Sequence, residues 1–137
     1  DLTDVENISA AVKRQAATMP PLQLSIEKMG VFPDLRRPRV LWVGTRGDVE
    51  KLAVLQKKLE EEFAIIGFPA ENRTFRAHLT LGRIKDARSA AGVGEALKKH
   101  ADFSAGEFQA AELILFQSKL SPHGAAYTRL ATFPLGT

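Results

Sequence analysis

The chain predicts an α+β fold, with helices packed on mainly antiparallel sheet, and two observations carry that expectation. The first is the order of periodicities. Apolar residues recur at helical spacing in three segments and alternate or cluster as in strands in five others, giving helix, strand, strand, helix, strand, helix, strand, strand. The second is composition: 137 residues, 45% hydrophobic and 26% charged, suit one ordinary globular domain with a core of its own.

The first helix runs from Asp4 to about Ala17, with Val5, Ile8, Val12 and Ala16 on one stripe, and Thr3 and Glu6 read as a capping box at its start. Met19-Pro20-Pro21 ends it. Leu22, Leu24 and Ile26 then alternate with polar residues, a half-buried strand closed by Gly30 and by Phe32-Pro33. The loop from Pro33 to Arg39 holds Arg36, Arg37 and Arg39 and reads as a solvated basic loop in preference to a contact with a phosphate chain. Val40-Leu41-Trp42-Val43, ending at Gly44, is an apolar run expected of a central strand covered on both faces. A second helix starts at Gly47-Asp48, carries Val49, Leu52, Leu55, Leu59, Phe63 and Ile66 on its inner stripe, and stops at Gly67. A weaker helix follows from about Ser89 to His100, and the chain finishes with strands at about Ala110–Leu120 and Ala126–Phe133, joined by the turn Ser121-Pro122-His123-Gly124.

The remaining strand, Thr74–Arg83, is the one the function turns on. Alternation puts Phe75, Ala77, Leu79 and Leu81 on a core face and Thr74, Arg76, His78 and Thr80 on the other. That second face gathers an imidazole, a guanidinium and two hydroxyls, the groups that hold a phosphate and move a proton near neutral pH. Arg83 falls on the opposite parity and reads as a rim or packing residue. His100, after Lys98-Lys99 at a helix end, reads as surface, His123 as part of a turn, and Phe32 as a core or turn anchor. Tyr127 reads either as a platform for a base or as a strand aromatic with a wet hydroxyl.

Several classes are excluded. With no cysteine there are no disulfides, thiolate metal sites or cysteine nucleophiles, and no Gly-rich phosphate loop of Walker type occurs. Three scattered histidines without an acidic cluster argue against a metal, so neither metal nor cofactor is expected. The net charge of +3 suits an anionic ligand without requiring a nucleic-acid coat, and no apolar run approaches the roughly 18 residues of a membrane span, so the chain reads as a cytoplasmic monomer.

Phe75-Arg76-Ala77-His78-Leu79-Thr80-Leu81-Gly82-Arg83 resembles the second His-x-Thr-x signature of the 2H phosphoesterases, specifically the LigT-like RNA 2′,3′-cyclic phosphodiesterases once called 2′-5′ RNA ligases. The blocks Gly30–Pro33, Pro38–Gly44, Leu113–Leu120 and Gly124…Tyr127 resemble the family in order and spacing, so the likeness spans essentially the whole chain. Two departures stand out: Ala77 occupies a position where the family usually has proline, and only one His-x-Thr motif is present where the family carries two. The resemblance therefore implies a two-lobed fold with a central cleft, lacking here its N-terminal strand, and a single domain over residues 1–137 whose first motif belongs upstream of Asp1. It implies hydrolysis of a terminal 2′,3′-cyclic phosphate to a 2′-phosphate by two histidines, with ligation an incidental reverse reaction. His78 takes the role of base, Thr80 donates to a phosphoryl oxygen, Arg76 and Tyr127 contact substrate, and RNA ends or small cyclic nucleotides are the partners. By itself this segment is then expected to be inactive and less stable than the whole protein. A non-catalytic RNA-binding module that keeps one His-x-Thr strand is the competing reading, and the roles of Arg36, Arg37, Arg83 and His123 stay open.

Overall fold

Helical and strand periodicities resolve into α1 (Leu2–Thr18), β1 (Leu22–Phe32), β2 (Val40–Gly47), α2 (Val49–Ile65), β3 (His78–Arg83), α3 (Val93–Lys99), β4 (Ser104–Ala110), β5 (Glu112–Ser121) and β6 (Gly124–Pro134). The structure is a computed structural model and describes residues 1–71, 75–86, 88 and 90–136. Thr74 and Ser89, which the sequence assigned to a strand and a helix, lie outside the described residues. The fold is α+β as expected, and its strand pairings with printed register are antiparallel.

The chain forms two compact units, one built from residues 1–22, 51–74 and 110–137, the other from 23–50 and 75–109. In the first, α1 packs on the β5–β6 hairpin. Its core is formed by Ala11, Val12, Ala16, Met19, Leu22, Leu55, Phe133 and Leu135, all buried. Helix α1 begins two residues earlier than the capping box suggested: Asp1 is the N-cap, its Oδ1 accepting from Thr3 N at 2.9 Å. Glu62 of α2 accepts from Arg14 Nε at 2.9 Å and from Gln15 Nε2 at 2.7 Å, bonding α1 to α2. The Arg14 guanidinium beside Glu62, helped by Gln15, holds its carboxyl below the usual carboxylate range.

In the second unit the sheet order is β3-β2-β1-β4. Strand β2 is central, as expected, but runs on through Gly44 to Gly47. Strand β4 was not legible at all, because Ser104-Ala105-Gly106-Glu107-Phe108-Gln109-Ala110 holds one large apolar residue and a glycine at φ +97°. Helix α3 is shorter than the Ser89–His100 expected, starting only after Gly92, whose φ of +84° serves as its cap. The expected core face of β3 is a correction too. Leu79 and Leu81 are each 54% exposed and Phe75 lies outside the strand, because β3 is the sheet's edge and alternation alone does not say what covers an edge.

Candidate active site

The site is one face of the second unit's sheet, and two β-bulges decide which residues share it. On β1 the register steps from Glu27↔Gly44 to Met29↔Val43, leaving Lys28 as an extra residue at φ 62°. From there Gly30 pairs with Trp42 and Phe32 with Val40. On β3 the register steps from Trp42↔Thr80 to Leu41↔Gly82, leaving Leu81 extra, so that Arg83 comes opposite Val40. Counting parity on β2, the face with Val40, Trp42 and Gly44 therefore also holds Gly30, Phe32, His78, Thr80 and Arg83. Arg83 is the correction here: parity within β3 put it on the far face, and the bulge returns it to the face of His78.

Two glycines make room for the large ring at the centre. A Cβ on Gly30 would lie 2.5 Å from Trp42 Cη2, and one on Gly44 would lie 3.0 Å from the Glu27 carbonyl and 3.4 Å from Trp42 Cζ3. The indole thus lies flat in a bed that only unsubstituted backbone provides. Phe32 packs against it with ring centroids 5.2 Å apart. The His78 imidazole stands edge-on to both rings, 5.0 Å from Phe32 and 6.4 Å from Trp42. Such contacts are worth about 0.5–1.5 kcal/mol each beyond burial and fix the plane of the imidazole. Sequence reasoning treated Trp42 as a core residue and Phe32 as a turn anchor. The signal that marks them is glycine inside strands on both sides of a lone tryptophan.

His78 is half-buried, with Nδ1 at 2.6 Å from the Arg76 carbonyl oxygen. A carbonyl only accepts, so Nδ1 carries the proton and donates, and the lone pair of the neutral ring is on Nε2. Arg76 precedes β3 rather than lying in it, yet its guanidinium carbon sits 5.8 Å from the Phe32 ring centroid, a cation–π contact that keeps it beside His78. Thr80 is exposed on the same face. Arg76, His78 and Thr80 are thus brought together. Tyr127 belongs to the other unit, on β6 opposite Ser118, 68% exposed and edge-on to Phe116 at 6.3 Å. His100 is the exposed C-cap of α3, and His123 lies in the hairpin turn, where its N–H donates to Ser121 Oγ at 3.2 Å. Among the described residues no three histidine or acidic side chains come together to hold a metal ion, and no helix is long and apolar enough to cross a membrane.

The family model described as LigT like Phosphoesterase matches residues 43–127, which include Trp42's neighbour Val43, the His78 strand and Tyr127. The chain belongs to the LigT-like phosphoesterases. The RNA 2′,3′-cyclic phosphodiesterase of Aquifex aeolicus is 32% identical over 141 residues, covering 99% of this chain and 73% of that protein. That of Methanothermobacter thermautotrophicus is 36% identical over 115 residues, covering 84% of this chain and 61% of that protein. The corresponding Archaeoglobus fulgidus protein is 35% identical, over 85% of this chain and 64% of that protein. The chain thus spans about three fifths of the length of the latter two relatives. Among solved structures, a phosphoesterase superposes with a TM-score of 0.73 at 24% identity, over 100% of this chain and 71% of that one. E. coli LigT complexed with 3′-AMP superposes with a TM-score of 0.72 at 22% identity, over 100% and 71% respectively. These two likenesses establish the fold as that of a LigT-like phosphoesterase.

Proposed function

We propose that the protein is a metal-independent RNA 2′,3′-cyclic phosphodiesterase in which His78 is the general base. The observation that carries this is the His78 Nδ1 bond to the Arg76 carbonyl, which leaves Nε2 as the basic atom on a face that also holds Thr80. Family membership and relatives named for that activity support it. In the reaction, Nε2 takes a proton from water as the water oxygen bonds to phosphorus. The phosphorus–O3′ bond breaks, its electron pair and a proton go to O3′, and a 2′-phosphate remains. The acid that protonates O3′ is assigned to the histidine of a second His-x-Thr motif in the whole protein, since residues 1–137 contain one such motif. Thr80 donates its hydroxyl to a phosphoryl oxygen, where charge grows as the fifth bond forms. Arg76 supplies a cation for the same oxygens, and Arg83, opposite Val40 and four residues along β2 from Gly44, the partner of His78, lies further out on the same face. The enzyme works as a cytoplasmic monomer, with ligation as a minor reverse reaction.

The test is turnover of an oligoribonucleotide ending in a 2′,3′-cyclic phosphate by the full-length protein and its His78→Gln variant, with the product resolved from its 3′-phosphate isomer. The variant should lose about 10³-fold in kcat, keep its melting temperature, and wild type should give the 2′-phosphate. Wild-type activity in the variant, or a 3′-phosphate product, would overturn the assignment.

A further inference from the structure

One cavity in the second unit is not used by the chemistry above. It has a volume of about 430 Å³ and is lined by Arg36, Arg37 and Arg39 from the β1–β2 loop and by Ile84, Lys85 and Asp86 from the segment after β3, among others. Four cations face one carboxylate. Among the described residues none of the four is joined to an acidic side chain in an ion pair, so their charge is not spent within the fold. The walls are held in place. Asp34 Oδ1 accepts from the backbone N–H groups of Arg36 and Arg37 at 2.9 and 3.0 Å, which fixes the turn that presents both side chains. Arg39 N donates to the Phe32 carbonyl at 2.7 Å, and Ile84 N donates to the Arg39 carbonyl at 2.8 Å, so the cavity continues the sheet that carries His78.

Its position matters as much as its charge. Gly44 pairs with His78, and Arg39 is five residues back along the same strand direction, roughly 16 Å away at strand spacing. That separation is too long for a group that contacts the reacting phosphate. It matches about five nucleotides at stacked spacing, and fewer where the strand is extended.

We propose that this cavity binds the phosphodiester backbone of RNA several nucleotides upstream of the reacting end, making the enzyme selective for oligonucleotide over mononucleotide cyclic phosphates. The inference rests on the cyclic phosphodiesterase reading, and the two fail separately. Recognition here is of backbone charge, not of base identity, because guanidinium groups at an open cavity meet phosphates and no base-stacking ring lines it among the described residues. With three net positive charges engaged, single-stranded RNA binding should fall about 20-fold between 50 and 200 mM salt.

The experiment compares kcat/KM for a 2′,3′-cyclic mononucleotide and for a hexaribonucleotide with the same terminus, at both salt concentrations, using the full-length protein. The variant is Arg36→Gln with Arg37→Gln. It leaves intact the Asp34 bonds, which go to backbone N–H groups, and so preserves the loop. A lysine pair at the same positions restores charge. The glutamine variant should leave the mononucleotide unchanged and reduce the hexanucleotide's salt dependence to less than about threefold, and the lysine pair should recover most of it. An unchanged salt dependence, or parallel losses on both substrates, would overturn the cavity's role. In parallel, fluorescence anisotropy of a labelled hexamer ending in 2′-phosphate reads binding without turnover. Salt-dependent binding that is lost in the glutamine variant, with no hydrolysis of either substrate by wild type, would sink the catalytic reading and leave the cavity standing.

Discussion

Gly30→Ala is the sharpest perturbation of the site that touches no proposed catalytic group. The added methyl would lie 2.5 Å from Trp42 Cη2 and 2.7 Å from Cε2, below any real carbon–carbon contact, and the obstacle is a rigid ring rather than a flexible chain end. Either the strands separate, an overpacking cost of about 1–3 kcal/mol, or the indole leaves its bed and forfeits two ring contacts worth about 0.5–1.5 kcal/mol each. Nothing else holds the indole: its Nε1–H is buried without a hydrogen-bond partner among the described residues, so packing alone sets the ring. Both routes cost about 2 kcal/mol, or a melting temperature lower by about 6–10 °C for a domain of this size. Trp42 is the sole tryptophan, so its emission reports the site directly. The variant should show a red-shifted spectrum and a kcat reduced about tenfold, since His78 loses the edge contact that sets its plane. Gly82→Ala is the control, because a Cβ there meets nothing within 4 Å. A Gly30→Ala protein with native emission and native melting temperature would refute the stacked bed, and with it the argument that the aromatic rings orient His78.

The other predictions concern single groups. Thr80→Val keeps the β-branched shape opposite Trp42 and removes the hydroxyl, so kcat should drop about 10²-fold with thermal stability unchanged; a loss confined to KM would contradict donation in the transition state. Glu62→Gln removes the charge that bonds α1 to α2 and should cost about 1 kcal/mol at pH 7. Because the folded carboxyl is lowered from 4.5, its contribution is present above that value and is lost as the pH falls through the folded value, so the denaturation curves of variant and wild type should begin to draw together below pH 4.5 and coincide only below the lowered folded value. Lys28→Gly relieves a left-handed residue at φ 62° worth about 1–2 kcal/mol, less about 0.5–1 kcal/mol for glycine's added freedom, and should raise the urea midpoint slightly, whereas Lys28→Val should lower it.

How far the sequence disclosed this molecule depends on which physical rule each element obeys. Helix α1 buries Ala11, Val12 and Ala16 and helix α2 buries Leu55, with apolar residues recurring at helical spacing around them, so periodicity located both helices to within a few residues. The last hairpin was legible because Ser121-Pro122-His123-Gly124 has turn chemistry, and Gly124 adopts the positive φ that turn needs. Strand β4 gave no sign, since its place depends on pairing with a neighbour and not on its own side chains. His78 and Thr80 were found because two residues apart on a strand is the closest spacing that shares a face, and no bulge lies between them.

Arg83 shows where that logic stops. Parity is a count, and an extra residue resets it: beyond Leu81 every β3 side chain changes face relative to β2, which is how a residue five places after His78 comes to share its side. The same holds on β1, where Lys28 brings Gly30 and Phe32 onto the face of Trp42. Neither bulge residue is glycine, so neither announces itself, yet both flank the central strand and together they assemble the whole cluster. A bulge moves a side chain between faces at the cost of one unpaired residue, leaving the buried side of β2, where Val43 is 3% exposed, undisturbed. A site can thereby gain a guanidinium without any change in the core that supports it, because the extra residue resets the count on one strand while its partner keeps its own alternation.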